Sequence, residues 1–174
     1  IVSAVTYELI SLAPQARIAT DGAFNPLMLD QIVALGYDRT WDELGDDERP
    51  LPEPSSAVEA AIELFPEISG VRLPSGTRFD PGGIGKGLAG DMVAAALLEA
   101  GAESVQIELG GDVRLAGPAW AGGSWRVVLD DNDHGAANPA TITLPEGGVA
   151  TSRVIRRRWR RGGVAVHHLI DPQT

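Results

Sequence analysis

Apolar residues spaced three and four positions apart predict helices in the first part of the chain. The pattern extends over residues 4–18, where Pro14 is expected to kink or break the helix. A proline at the first position and a glycine after the last favour a short helix over residues 26–35. Two more helices are predicted, over residues 55–65 and over residues 88–100, and the last has the clearest helical spacing.

Alternation of apolar and polar residues predicts strands, most of them in the second part of the chain. In residues 104–109, for example, Val105, Ile107 and Leu109 lie on one face. Further strands are predicted at residues 70–73, 77–79, 113–116, 124–129, 140–144, 149–152, 154–161 and 164–170. A helix-rich first half followed by antiparallel strands predicts an α+β fold. No linker divides residues 1–174, so we expect a single domain.

The composition narrows the class of protein and the kinds of site. The 174 residues carry a net charge of −10 and include no cysteine, which excludes disulfides, zinc–thiolate sites and thiol nucleophiles. No apolar run reaches the roughly 18 residues that a membrane-spanning helix requires. The chain starts without methionine and stops shortly after the turn-forming pair Asp171-Pro172, so we interpret it as a piece of a longer protein, truncated at both ends.

Positive charge is concentrated near the end of the chain, where six arginines lie within residues 153–161. Such a run can bind nucleic acid, but the acidic remainder of the surface would repel phosphates. The same residues have the pattern of a strand bounded by Ser152 and Gly162. We therefore favour a solvated strand face that pairs with the acidic remainder, and we expect no nucleic-acid partner.

A glycine-rich loop stands directly before the clearest predicted helix. Asp80-Pro-Gly-Gly-Ile-Gly-Lys-Gly87 places four glycines around Lys86, the only lysine among the 14 basic residues. Such a loop lets backbone N–H groups approach an anion at a helix N-terminus, and the lysine adds charge. The dinucleotide fingerprint fails because Leu88 stands where a glycine is needed, and the Walker A pattern fails because Gly87 follows the lysine. A turn that only caps the helix is the alternative.

Five segments carry a more specific signal when they are taken together. They are Thr20-Asp-Gly-Ala-Phe-Asn-Pro26, Asp80-Pro-Gly-Gly-Ile-Gly-Lys-Gly-Leu-Ala-Gly-Asp91, Glu108-Leu-Gly-Gly-Asp-Val-Arg114, Val149-Ala-Thr-Ser152 and His167-His-Leu-Ile-Asp-Pro172. In this order they resemble the motifs of the ApbE family of FAD:protein FMN transferases. The resemblance implies an α+β, T-fold-like domain that binds FAD. With Mg²⁺, the family transfers the FMN moiety to a Ser or Thr hydroxyl of a target protein and releases AMP.

The resemblance also implies roles for individual residues. Those matching flavin contacts of the family are Ala23, Phe24, Asn25, Asp80, Lys86, Thr151, Ser152 and Ile170. Gly83 matches a position whose backbone oxygen binds the metal, which suits Mg²⁺, and His168 is implied as general base or diphosphate contact. Asn25 stands where the family usually has Asp. The family's remaining metal ligands, an Asp and a Thr, lie downstream of the last motif.

Other interpretations stay open. A flavin-trafficking relative that binds or hydrolyses FAD without modifying a protein would share these motifs, and an arginine-mediated interaction module is a third hypothesis. Asp112 either supports the site or stabilises a turn, while Asp91 is interpreted as a surface residue. His134 is expected to be inert in an exposed loop, and Trp125 and Trp159 are expected to pack on strands. The family is often extracytoplasmic and membrane-associated, but these residues identify neither compartment nor acceptor protein.

Overall fold

The computed structural model describes residues 1–53, 61–129, 140–154 and 157–172, which contain three α-helices and nine strands. The chain forms two compact units: unit 1 comprises Ile1–Gly85 and Ser152–Thr174, and unit 2 comprises Lys86–Thr151. The helices are α1 Ala4–Ala19, α2 Leu29–Ala34 and α3 Gly85–Glu99. The strands are β1 Glu63–Phe65, β2 Gly70–Arg72, β3 Val105–Leu109, β4 Asp112–Ala116, β5 Trp125–Leu129, β6 Ala140–Leu144, β7 Gly147–Val149, β8 Arg158–Arg161 and β9 Val164–His167.

Every pairing between these strands is antiparallel. Unit 1 contains the hairpins β1–β2 and β8–β9, and unit 2 contains the sheet β3–β4–β7 and the hairpin β5–β6. The mixture of helices and antiparallel strands is the α+β content predicted from the sequence. In the part of the chain described, no helix is both long and apolar enough to cross a bilayer. The single domain expected for residues 1–174 stays a prediction.

Helix α1 continues through its internal proline. The Oγ of Ser3 accepts a hydrogen bond from the backbone N–H of Thr6 at 3.1 Å, a side-chain cap that starts the helix. Pro14 lacks the N–H of one ladder hydrogen bond, yet the helix extends beyond it. Ile10 and Ala13 are buried, so packing of this face offsets the missing bond. Of the predicted kink or break at Pro14, the break is wrong, and the kink stays a prediction.

Trp159 of strand β8 packs in the interior of unit 1. Its ring is buried and stacks on Tyr37 with ring centroids 5.4 Å apart, while Trp41 lies edge-on at 6.5 Å. The indole Nε1 donates a 2.7 Å hydrogen bond to the carbonyl oxygen of Leu35. A buried indole needs such a partner for its N–H. The prediction that Trp159 packs from a strand is confirmed.

The arginine-rich strand β8 buries one residue of its charged run. Arg158 and Arg160 are exposed, whereas Arg161 is only 8% exposed. The Nε of Arg161 donates to the carbonyl oxygen of Pro50 at 3.0 Å, and its Nη1 pairs with the carboxylate of Asp47. Arg161 therefore pairs with the acidic segment of unit 1, as predicted, but it does so from a buried position and not from the solvated face that the sequence predicts.

In unit 2, α3 and the sheet β3–β4–β7 share a buried cluster. It consists of Ala94 of the helix, Val105 of β3 and Ala116 of β4. Small residues allow close approach, since a Cβ placed on Gly90 would lie 3.2 Å from the Cβ of Arg114. This buried face explains the clear helical spacing of the segment. The predicted helix is confirmed, with a start three residues earlier.

A two-residue turn joins β3 to β4. Leu109 and Asp112 pair across it, and the central residues Gly110 and Gly111 have φ angles of 60° and 92°. Positive φ at both positions is typical of the tight hairpin turn that matches strand twist, and glycine adopts it without steric cost. The turn fixes the backbone of Asp112 at the first position of β4.

Two predicted elements of unit 1 have a different structure. The segment predicted as a helix over residues 55–65 contains β1, which pairs with β2, and residues 54–60 lie outside the described residues. Local hairpin pairing therefore outweighs the helical spacing of a few apolar residues. Residues 77–79 form no strand, because the N–H and the Oγ1 of Thr77 both bond the carbonyl oxygen of Pro74 and close a turn.

Other boundaries differ by a few residues. The helix predicted from Pro26 begins at Leu29. Strand β7 begins two residues before the strand predicted over residues 149–152 and includes only the first residue of that prediction. Strand β9 ends three residues before its predicted end, at His167, which pairs with Arg158 of β8. Residues 155 and 156 of the strand predicted over residues 154–161 lie outside the described residues. The strands predicted at residues 104–109, 113–116, 124–129 and 140–144 are confirmed to within one residue.

Candidate functional site

The turn after α1 carries three of the predicted flavin contacts, Ala23, Phe24 and Asn25. The backbone N–H of Phe24 donates to the Oγ1 of Thr20 at 3.0 Å. Gly22 has a φ of 84°, the left-handed conformation that is common just after a helix. The end of α1 thus sets the direction in which Ala23 and Phe24 leave the helix.

Asn25 differs from its two neighbours because it is buried. Ala23 is exposed and Phe24 is half-buried, whereas Asn25 is only 7% exposed. The Oδ1 of Asn25 accepts a 3.0 Å hydrogen bond from the N–H of Leu27, a local bond typical of turns. Asn25 therefore stabilises the turn that leads to α2, whatever else it binds.

The glycine-rich loop contacts this turn within unit 1. The N–H of Asp80 donates to the carbonyl oxygen of Pro26 at 2.8 Å. The Oδ1 of Asp80 accepts a bond from the N–H of Gly82, also at 2.8 Å. The N–H of Gly85 donates to the carbonyl oxygen of Pro81 at 2.7 Å, where α3 begins. These bonds hold the loop in one conformation up to the start of the helix.

Phe24 and Gly83 are in direct contact. A Cβ built on Gly83 would lie 2.7 Å from both Cδ2 and Cε2 of Phe24, closer than such atoms approach in proteins. Only glycine lets the ring lie against this part of the loop. With the Asp80–Pro26 bond, this contact brings residues 23–25 together with Asp80 and Gly83.

His168 follows β9 in unit 1 and is half-buried. Burial, and after it the positive charge of Arg157, lowers the pKa of His168 from its ordinary value of 6.5. The backbone of Arg157 and the negative charge of Asp80 raise the pKa, but less strongly. The imidazole is therefore neutral near pH 7, the state that can accept a proton.

The adjacent His167 is the last residue of β9. Within the described residues, the Nδ1 atoms of His167 and His168 are buried and have no hydrogen-bond partner. Unpaired buried nitrogens are uncommon in proteins, so they mark a place where a polar group would be favourable. The predicted contacts Ser152, which is exposed, and Ile170, which is half-buried, also belong to unit 1.

Unit 2 holds the other two predicted flavin contacts, Lys86 and Thr151. The Nζ of Lys86 lies 2.7 Å from Oδ2 of Asp112. The Oδ1 of Asp112 accepts a 2.9 Å hydrogen bond from the N–H of Thr151, whose Oγ1 donates to the carbonyl oxygen of Gly111 at 2.9 Å. Burial raises the pKa of Asp112, but the hydrogen bonds from Lys86 and Thr151 and the charge of Lys86 outweigh burial and lower the pKa.

In the described part of the chain, the predicted metal ligand Gly83 is not accompanied by a cluster of acidic or histidine side chains. Among the described residues, no group of three or more His, Cys, Asp or Glu could hold a metal ion. Gly83 offers a carbonyl oxygen, the donor type that Mg²⁺ prefers, and Mg²⁺ commonly keeps several waters. The loop therefore fits Mg²⁺ in donor chemistry as one ligand of a larger set.

Asp112 and Arg157 both have an electrostatic effect on predicted site residues, but the sequence leaves the role of Asp112 open and indicates none for Arg157. Asp112 has a visible signal, since it is a carboxylate directly after a two-glycine turn in a chain with one lysine. Its contact with Thr151 spans 39 positions, which spacing alone does not reveal. Arg157 has no such signal, because it is one of six arginines in the run and its effect on His168 arises from the fold.

Comparisons with known proteins agree with the motifs. The model of the ApbE family matches residues 1–174. An FAD:protein FMN transferase of Treponema pallidum is 27% identical over 190 residues, covering 97% of this chain and 51% of that protein. One from Klebsiella pneumoniae is 24% identical over 186 residues, covering 99% of this chain and 51% of that protein. The chain thus spans about half the length of these curated relatives.

Two solved structures share the fold. The ApbE protein from Thermotoga maritima matches with a TM-score of 0.79 and 29% identity, covering 99% of this chain and 57% of that one. The apo form of the Pseudomonas stutzeri flavinyl transferase ApbE matches with a TM-score of 0.67 and 21% identity, covering 98% of this chain and 53% of that one. The α+β fold predicted from the sequence is confirmed.

Proposed function

The chain belongs to the ApbE family, and from this membership we propose that it is part of an FAD:protein FMN transferase. The enzyme transfers the FMN moiety of FAD to a Ser or Thr hydroxyl of an acceptor protein, uses Mg²⁺, and releases AMP. The observation that carries the proposal is the contact of Phe24 with Gly83, beside the Asp80–Pro26 hydrogen bond. An aromatic ring, open backbone and a carboxylate adjoin there, the mixture of apolar and polar groups that nucleotide cofactors require.

The proposed reaction exchanges one P–O bond for another. The hydroxyl oxygen of the acceptor attacks the phosphorus on the flavin side of the diphosphate. The bond between that phosphorus and the bridging oxygen breaks, and the bridging oxygen leaves as part of AMP. The hydroxyl proton passes to a general base of the enzyme.

His168 is suited to the role of that base. Burial and the charge of Arg157 lower its pKa, so a nitrogen lone pair is available at neutral pH. Its Nδ1 is buried and has no partner among the described residues.

We assign Gly83 as one Mg²⁺ ligand through its carbonyl oxygen. The supporting observation is the fixed geometry of the loop, which the ring of Phe24 and the hydrogen bonds of Asp80 maintain. When bound, Mg²⁺ neutralises charge that develops on the diphosphate. The ring of Phe24 covers Gly83 on the side where a Cβ would lie. Gly83 is nevertheless exposed, so the nucleotide can approach the loop from the opposite side.

The test incubates the full-length protein with FAD, Mg²⁺ and an acceptor protein that carries a Ser or Thr, and then measures flavin fluorescence in a denaturing gel. A covalent flavin on the acceptor, absent when that Ser or Thr is changed to Ala, supports the transferase. FMN and AMP formed with no covalent flavin would instead identify an FAD hydrolase. FAD binding with neither product would identify a flavin-binding protein.

A further inference from the structure

Asp112 bridges two segments of unit 2. Its Oδ2 lies 2.7 Å from Nζ of Lys86 in α3, and its Oδ1 accepts the 2.9 Å hydrogen bond from the N–H of Thr151 after β7. The two partners lie on opposite sides of Asp112 in the sequence. The carboxylate of Asp112 thus binds both residues of unit 2 that are predicted to contact the flavin. One oxygen pairs with Lys86, and the other accepts from Thr151.

The position of this carboxylate is itself fixed. The turn of Gly110 and Gly111 sets the backbone of Asp112 at the start of β4, and Thr151 Oγ1 donates to the carbonyl oxygen of Gly111. The side chain of Asp112 is 22% exposed, and that of Lys86 is 46% exposed. The restrained carboxylate of Asp112 therefore holds the more exposed ammonium group of Lys86.

The ammonium group of Lys86 keeps donors for a ligand. A lysine has three N–H donors, and a contact with one carboxylate oxygen uses one of them. The N–H of Thr151 donates to Asp112 and its Oγ1 donates to the carbonyl oxygen of Gly111, so both donors of this residue serve to fix it in place. Lys86 can therefore bind an anionic group while Asp112 keeps both residues in place.

We propose that Asp112 is a positioning residue that acts through Lys86: it holds the ammonium group where that group binds the diphosphate of FAD, and its other oxygen fixes the backbone of Thr151. This inference rests on the proposed function, which supplies FAD as the ligand. A carboxylate that only stabilises a turn would contribute to folding and leave FAD affinity unchanged.

The sign of the effect separates positioning from simple electrostatics. Asp112→Asn keeps an oxygen that can accept from the N–H of Thr151 but removes the charge that holds Lys86. Positioning predicts weaker FAD binding in this variant. Simple electrostatics predicts tighter binding, because the variant loses a negative charge beside the ligand's phosphates.

The experiment measures the Kd of FAD for the full-length protein by flavin fluorescence, for D112N, Lys86→Met and the double variant. We expect D112N and K86M each to weaken binding roughly tenfold, and the double variant to be no weaker than the weaker single variant, since residues in contact are not additive. The matched control is Asp91→Asn, which removes the 2.6 Å ion pair of Asp91 with Arg114 in the same unit. It should bind FAD like the wild type.

Unchanged or tighter binding by D112N, additive effects in the double variant, or an equal loss in D91N would each overturn the inference. If D112N does not fold, Asp112→Ser replaces it in the same cycle, because its hydroxyl can still accept from Thr151. If the wild-type protein binds FAD but forms no covalent flavin, the proposed transferase activity is wrong. The Kd values of the single and double variants still decide the role of Asp112. Wild-type protein that does not bind FAD overturns both.

Discussion

The ring of Phe24 leaves no room for a side chain on Gly83. A Cβ at that position would lie 2.7 Å from two ring carbons, although the residue itself is exposed on its other side. The contact links the turn after α1 to the glycine-rich loop, two segments that are far apart in the sequence. The requirement for glycine here is therefore imposed by a neighbouring ring.

We predict that Gly83→Ala weakens FAD binding and lowers the free energy of unfolding by about 1–3 kcal/mol, because the Phe24 ring must move. Gly87→Ala is the matched control, since nothing lies within 4 Å of a Cβ there. As Gly87 is in α3, alanine should leave stability unchanged or raise it by up to about 1 kcal/mol. Urea unfolding measures the stability of each variant, and FAD titration measures its affinity for FAD. Equal behaviour of the two variants would contradict the role of the contact.

The pH dependence of flavin transfer should report the protonation of His168. Activity should be constant near neutral pH and fall only below 6.5, since burial and the charge of Arg157 lower the pKa of the imidazole. Arg157→Ala removes that charge, so the pKa should rise and the acid limb should move to higher pH. Arg158→Ala is the control. An acid limb that moves equally in both variants, or in neither, would exclude Arg157 as the cause.

Trp159 should contribute much more to stability than the exposed Trp120. Trp159→Ala removes a buried ring and the hydrogen bond to Leu35, and we expect a loss of about 3–5 kcal/mol in the free energy of unfolding. Trp120 is 93% exposed, so Trp120→Ala should change stability by no more than about 0.5 kcal/mol. Thermal unfolding followed by circular dichroism compares the two. Similar losses would show that the stacking on Tyr37 contributes little.

The stability of the protein should depend on the ionisation of Asp112. Its pKa in the folded state is lowered, so its contribution is present above its ordinary value of 3.8 and is lost as pH falls through the lowered value. The difference in urea midpoint between wild type and D112N should therefore be largest above pH 3.8 and shrink in more acidic solution. Lys86→Met should reduce the same pH dependence. A difference in urea midpoint that does not change with pH would show that the ionised carboxylate of Asp112 does not stabilise the folded protein.

The sequence predicts an element well where its pattern is long and the element packs or pairs with a neighbour. Helix α3 and strands β3 and β4 share a buried cluster, whereas β5 and β6 are mostly exposed and pair with each other. Prediction fails where a short apolar pattern competes with local pairing, as in residues 63–65, which pair as β1. It also fails where packing compensates for a helix-breaking residue, as Ile10 and Ala13 do around Pro14.

The predicted site could also be inferred only in part from the sequence. Motifs identify Asp80, Lys86 and Thr151 as individual residues. Which groups act together is decided by contacts between residues that are far apart in the sequence. The pair Lys86–Asp112 and the contact Phe24–Gly83 are such cases. The direction of a pKa shift is likewise not visible in the sequence, since burial and the approach of a charged neighbour arise only in the fold.

Unit 1 is assembled from two stretches of chain that a ribosome makes at different times. The hydrogen bond from Trp159 to Leu35 joins residues 124 positions apart. At roughly 5–20 residues per second, Leu35 and Tyr37 wait about 6–25 s for their partner. Unit 2 is contiguous and is synthesised within that interval, so it can fold first. During synthesis, the aromatic cluster of unit 1 therefore stays incomplete until β8 has been made.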